Sequence, residues 1–167
     1  MPTWTPEQFA VAMDRLGADF GTRDLQPALE ACRRPIQQGI RRNFELSQSS
    51  AGESWPPRAV PLGIVRYNDQ PFEHPLLVET GALMTAATGG HSASIDRIEG
   101  NALTLGVDKS ASKDGGIPGA AVHQGGYTEL HIPARPYLGI SEEALRKCVA
   151  AIEPHAAAAA QNILENG

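Results

Sequence analysis

The chain reads as an α+β protein with N-terminal helices, a small antiparallel β-sheet built on a hairpin, and a C-terminal helix. Three observations predict it. Apolar residues recur at three- and four-residue spacing toward both ends, and they alternate with polar ones on either side of Glu99-Gly100-Asn101. The elements do not alternate strand and helix as a parallel βαβ sheet would require.

In order along the chain, Thr5-Pro6-Glu7 is a helix start. Thr caps free N–H groups, Pro tolerates the first helical position and Glu suits the positive end. That helix is expected to reach about Leu16 and stop at Gly17. Asp24, with Pro27 just inside, opens a second and longer helix whose apolar stripe is Leu25, Leu29, Cys32, Ile36, Ile40 and Phe44. Arg33, Arg34, Arg41 and Arg42 fall roughly opposite, and Pro35 is expected to kink or split the helix.

A polar, Pro/Gly-rich stretch follows, then a short helical patch with Thr80 as a cap for 81–85. "HSASIDRI" and "NALTLGVD" form the hairpin. "HIPARPYLGI" is expected to be a short extended segment, because each proline restricts itself and the residue before it. Ser141 caps the last helix, with Glu142 and Glu143 in its first turn, a core stripe of Leu145, Val149 and Ile152, and a break or bend at Pro154.

Residues 1–167 fit a single domain, with loops near 47–62 and 110–119 expected to be mobile. Aromatic residues make up 5% of the chain and Gly and Pro number 17 and 13, so a modest core with long loops is expected. A net charge of −5 argues against a general nucleic-acid footprint. No apolar run approaches the ~20 residues that span a bilayer, and the start "MPTWTPEQF" lacks signal-peptide character. A cytoplasmic site of action is expected. Cys32 and Cys148 read as two buried free thiols in helix interiors, which suits a reducing compartment.

His123 and His131, helped by His91 or Asp114, could approach a metal, but there is no HExxH-like pair or CxxC. There is no G-x-S-x-G elbow and no catalytic cysteine signature. "KDGGIPG" lacks the Lys-Ser/Thr ending of a phosphate loop. The expectation is therefore no enzyme, no metal and no cofactor. The four arginines could meet phosphates, but no aromatics interleave with them, and a solvated or subunit-facing helix face is favoured. Trp55 and Tyr137 read as anchors or as rigid contact residues.

Three pieces occur in a telling order: "ESWPPRA" after a long helix, "HPLLVETGALMTA" in the middle, and "AAVHQGGYTELHIPARPYLGIS" before the last helix. Together they resemble the phage virion morphogenesis family, the tail-completion proteins of tailed phages and Mu-like prophages. The resemblance spans roughly 41–141 and implies a structural protein that completes the tail or neck and enables head-tail joining. Its implied setting is the host bacterial cytoplasm during assembly, then the virion. The implied partners are other copies in a ring and tail or neck/connector proteins, with no membrane and with nucleic acid disfavoured.

On that reading Arg33, Arg34, Arg41, Arg42, Trp55, His123, Gln124, Arg135 and Tyr137 are assembly-interface candidates. Arg135 would either clamp the last helix to the body or reach a carboxylate on a neighbour, and the neighbour is preferred. Two alternatives stand beside it: a nucleic-acid-binding module using the Arg33 to Arg42 face, and a small metal-dependent hydrolase using His123 and His131.

Overall fold

The computed structural model describes residues 24–57, 76–78, 80–108 and 119–166, together with Ala10, Val11, Asp14, Arg15, Ala18 and Gly21. These six N-terminal positions are helical. Ala18 and Gly21 lie beyond Gly17, so helical backbone persists past the predicted stop.

The architectural axis is α1, Gln26–Leu46. Its N-cap position is Leu25, one residue later than expected, while the Asp24 carboxylate accepts the Gln26 N–H at 2.9 Å. The predicted stripe faces inward: Leu25, Cys32, Ile40 and Phe44 are buried, with Leu29 and Ile36 half-buried. The helix is not split at Pro35. A proline deprives only the carbonyl four residues back, here that of Ala31, which lies at an exposed position where water can serve it.

One side of α1 packs against α4, Glu142–Asn166. The other carries α2, Ala82–Ala87, and the hairpin of β1, Ser94–Glu99, and β2, Ala102–Val107. The N-cap of α2 is Gly81, one residue later than the expected Thr80, whose hydroxyl accepts the Ala82 N–H at 3.3 Å. The strands pair antiparallel from Ser94↔Val107 to Glu99↔Ala102 around a two-residue turn, and Gly100 takes the positive φ (55°) that this turn demands.

Two polar latches hold the hairpin along α1. Asp96 meets the Arg33 guanidinium at 2.8 Å and accepts from Gln37 at 2.9 Å. At the turn, Asn101 accepts the Leu25 N–H at 3.4 Å and donates to the Gly21 carbonyl at 3.2 Å. The geometry is consistent: five strand residues span about 17 Å, within the helix rise of roughly 12 to 18 Å between Leu25 and the Arg33–Gln37 face.

Arg33 therefore leaves the basic face assigned to it. It is paired with both Glu30 and Asp96, whereas Arg34, Arg41 and Arg42 are exposed. The sequence places Arg33 at the edge of that face but does not say that the hairpin docks there.

α4 begins as predicted, with the Ser141 hydroxyl accepting the Ala144 N–H at 3.3 Å. Glu142–Arg146 and Glu143–Lys147 pairs, both 2.7 Å, support its first turns. It runs without a break through Pro154, for the reason given for Pro35, since Ala150 is exposed. Its core stripe differs from the expected one. Ala144, Cys148 and Ala159 are buried, while Leu145 and Val149 are 52% and 55% exposed.

Close approach explains the shift. A Cβ added at Gly39 would sit 3.1 Å from the Ser141 hydroxyl and 4.0 Å from the Ala144 Cβ, so α1 and α4 meet where only small side chains fit. Cys32 and Cys148 face each other across this contact as free thiols, each Sγ donating to the other's carbonyl at 3.9 and 4.0 Å. Burial, then the contact with Cys32, pushes the Cys148 thiol up to about 11.

Among the described residues no helix is long and apolar enough to cross a membrane.

Candidate functional site

The loop expected at 47–62 is described as far as Pro57, and that part is a closed turn. Ser47 ends α1 in the left-handed region (φ 50°), Gln48 and Ser54 form a bridge, and Ser49 accepts the N–H groups of Ala51 and Glu53 at 3.3 and 3.2 Å. This closure delivers Trp55 to the core at 5% exposure. Residues 58–62, and the Gly-rich run as far as 118, lie outside the described residues.

The other half of the site comes from residues 119–140. Gly119 (φ 84°) opens α3, Ala120–Gly125, and a single 3-10 turn, Thr128–Leu130, is closed by a Tyr127↔Ile132 bridge. From Pro133 the chain runs as an arm without a sheet partner until Ser141. Its backbone groups therefore need side-chain partners.

Gln124 supplies three of the arm's bonds. Its Oε1 accepts the N–H groups of Tyr137 and Leu138 at 3.0 and 2.9 Å, and its Nε2 donates to the Leu138 carbonyl at 3.1 Å. One amide thus does the work of a neighbouring strand. Asn43 on α1 donates to the Tyr137 carbonyl at 3.1 Å, and the Trp55 indole N–H donates to the Pro136 carbonyl at 3.1 Å.

Arg135 points inward, at 6% exposure, and its fork donates to the carbonyls of Pro56 and Pro57 at 3.0 and 2.8 Å. It ties the arm to the Trp55 turn within the subunit, where the sequence reading offered a clamp on the last helix or a neighbour's carboxylate. The guanidinium suits this use because two donors must diverge to two consecutive carbonyls.

Phe44, fully buried, is the centre. The Trp55 ring meets it edge-on (5.8 Å between centroids, 86°) and Tyr137 lies tilted against it (5.4 Å, 44°). Tyr137 is 1% exposed, and its hydroxyl donates to the Ala120 carbonyl at 3.2 Å. Burial pushes that phenol up to about 12, so any stability it adds is complete below pH 10 and lost as pH rises toward 12.

Two glycines permit the close packing. A Cβ at Gly126 (φ 76°) would lie 2.8 Å from the Ala134 nitrogen, and one at Gly139 would overlap the Ser50 hydroxyl.

His123 is half-buried beside Arg135, whose N–H donates to the His123 carbonyl at 2.6 Å. Burial first, then the Arg135 charge, hold its imidazole below the ordinary value of 6.5. The ring is thus kept neutral at pH 7. His131 is exposed in a left-handed position (φ 53°), and His91 accepts the Ala93 N–H within its own turn. Among the described residues no group of three His, Cys, Asp or Glu side chains could hold a metal ion, and Asp114 lies outside them.

The interface candidates therefore divide. Arg34, Arg41 and Arg42 are on the surface, Arg33 is committed to the hairpin, and Trp55, Gln124, Arg135 and Tyr137 are turned to internal bonds, with His123 beside them. Sequence reasoning missed Asn43 as a functional residue, although a polar residue three positions from Ile40 on an apolar stripe is a signal for it. It also missed the exposure of Leu145 and Val149. A groove of about 800 Å³ opens between α1, the 48–52 turn and the start of α4, with Gly39, Arg42, Ser50, Ile140 and Leu145 in its lining.

The three sequence pieces converge on one core. Trp55 comes from the first, Leu83 from the second, with Ala87 just beyond its end, and Ala120 and Tyr137 from the third, all packed with Ile40 and Phe44. A family model described as the phage virion morphogenesis family matches residues 5–156. No curated protein and no solved structure matches the chain.

Proposed function

Because this chain belongs to the phage virion morphogenesis family, we propose that it completes the tail or neck of a phage particle and makes it competent for head-tail joining. The coarser role, a structural part in virion morphogenesis, follows from the family itself. The observation that carries the finer reading is the use made of the chemically capable residues. Arg135, Gln124, Trp55 and Tyr137 are turned inward to fix an arm that has no sheet partner. A non-repetitive backbone fixed in advance loses little entropy when it meets a partner, which suits a protein that acts by fitting between larger assemblies. The action is one of contact, without a catalytic centre, and the partners are virion proteins at the tail or neck.

An in-frame deletion in the parent phage, examined by electron microscopy, tests this. Filled heads and full-length tails should accumulate unjoined, and adding the purified protein to the lysate should restore joined, infectious particles. Joined particles in the deletion strain, or an absence of tails altogether, would overturn the assignment.

A further inference from the structure

α4 carries two apolar stripes where a surface helix ordinarily has one. The first, Ala144, Cys148 and Ala159, is buried, with its first turns close against α1. The second follows each of its first two members by one residue, about 100° around the helix, and reads Leu145, Val149, Ile152 and Ala156. Leu145 and Val149 are 52% and 55% exposed, Ala156 is exposed and Ile152 is half-buried. Large aliphatic side chains in a row on the solvent side of a helix mark a surface that binds something.

The geometry points to a second copy of this chain as the occupant, with α4 packed against α4 in antiparallel. The charges beside the stripe select that arrangement. Arg146 and Glu153 lie on the same flank, at about 100° and 80° from Leu145. In a parallel pair the same flank of the two helices falls on opposite edges of the seam, so Arg146 and Glu153 of the two copies would not meet.

An antiparallel pair, with its two-fold axis passing between Ala150 and Ala151, sets Leu145 against Ala156 and Val149 against Ile152. Arg146 then lies within about 3 Å of helix rise of the other copy's Glu153, an offset that an arginine side chain spans easily. Glu153 is exposed and has no ion-pair partner among the described residues, while Arg146 is shared only with Glu142 at the surface. Stripe and flank are thus both self-complementary under one operation, which is the property an isologous interface requires. The inference stands whichever end of the tail the protein occupies.

Sedimentation velocity of the full chain, from about 1 to about 100 µM, is the test. A concentration-dependent monomer–dimer equilibrium is expected. Arg146→Glu and Glu153→Arg should each weaken it about ten-fold, and the two together should restore it to within about three-fold. Leu145→Glu combined with Val149→Glu should weaken it by about 100-fold or more, with unchanged circular dichroism and melting temperature because both side chains are already at the surface. Should that apolar variant fail to fold, the charge exchange decides alone. A wild-type chain that stays monomeric at the highest concentration, self-association indifferent to the apolar pair in a folded variant, or a charge exchange that does not restore association would each overturn the proposal.

Discussion

The arm, residues 133–140, and the hairpin of β1 and β2 both lie against α1, and they are held in opposite ways. The arm has no strand beside it, yet its attachments are buried: the Phe44, Trp55 and Tyr137 rings, the Gln124 amide and the Arg135 fork. The hairpin has a full ladder of its own; it joins α1 through the part-exposed latches of Asp96 and Asn101, no residue of β1 is buried, and Val107 of β2 packs against the core. Where the backbone satisfies itself, polar latches and a limited apolar contact are enough. Where it cannot, distinctive side chains must take over, and those are the residues that make a recognisable motif.

Substitutions at the two attachments should separate them, beginning with the centre of the arm's packing. Phe44→Ala removes the ring on which both other aromatics rest and should lower unfolding free energy by about 4 kcal/mol in urea titration. An effect under about 1 kcal/mol would mean that the arm is not packed as described. Gln124→Leu keeps the bulk but leaves two N–H groups and a carbonyl without their partner, so a loss of about 3 kcal/mol is expected. A further check is faster exchange of the Tyr137 and Leu138 amides.

Arg135→Lys keeps the charge but cannot reach both proline carbonyls, and the isolated subunit should lose about 2 kcal/mol. A normal melting temperature with reduced particle yield would instead return Arg135 to the subunit surface. At the hairpin, Asp96→Asn should cost only about 1 kcal/mol, and the loss should shrink in high salt. A salt-independent loss as large as that of Arg135→Lys would erase the distinction between the two attachments.

The smallest effect is a pH dependence arising at His123, on α3 beside Arg135 of the arm. His123 titrates lower in the folded chain than its ordinary 6.5, so the unfolded chain takes up its proton first as pH falls. Stability linked to this group is present above about pH 6.5 and declines as pH drops toward the folded value. Melting temperatures measured from about pH 7 to about pH 5 should show that decline, and His123→Gln should flatten it.

Much of this was legible in the sequence, and the boundary is instructive. The stripe of α1, the hairpin turn at Gly100-Asn101 and the Ser141 cap follow from local periodicity and capping chemistry, which act within a few residues. The stripe of α4 was misread because hydrophobicity ranks Leu145 and Val149 above Ala144 and Cys148, while the glycine at position 39 on the partner helix ranks them by size. Arg33 was assigned to the face opposite the apolar stripe by helical angle, and Arg135 to a clamp on the last helix or a neighbour's carboxylate. Each proves to be committed to a partner more than fifty residues away, which no local pattern encodes. Pro35 was expected to kink or split its helix and Pro154 to break or bend its own; neither helix is split, and the carbonyl each proline strands lies at an exposed position.

The arm's attachments also impose an order of events on synthesis. Asn43 must wait for a partner 94 residues downstream, and Trp55 for one 81 downstream. Such long closures are slow to form compared with the local turns of α1. During translation α1 can present its apolar stripe, and Phe44 in particular, well before the segment that covers it has left the ribosome. The nascent chain thus passes through an interval with its central aromatic uncovered, open to premature association in a cell crowded with other structural proteins.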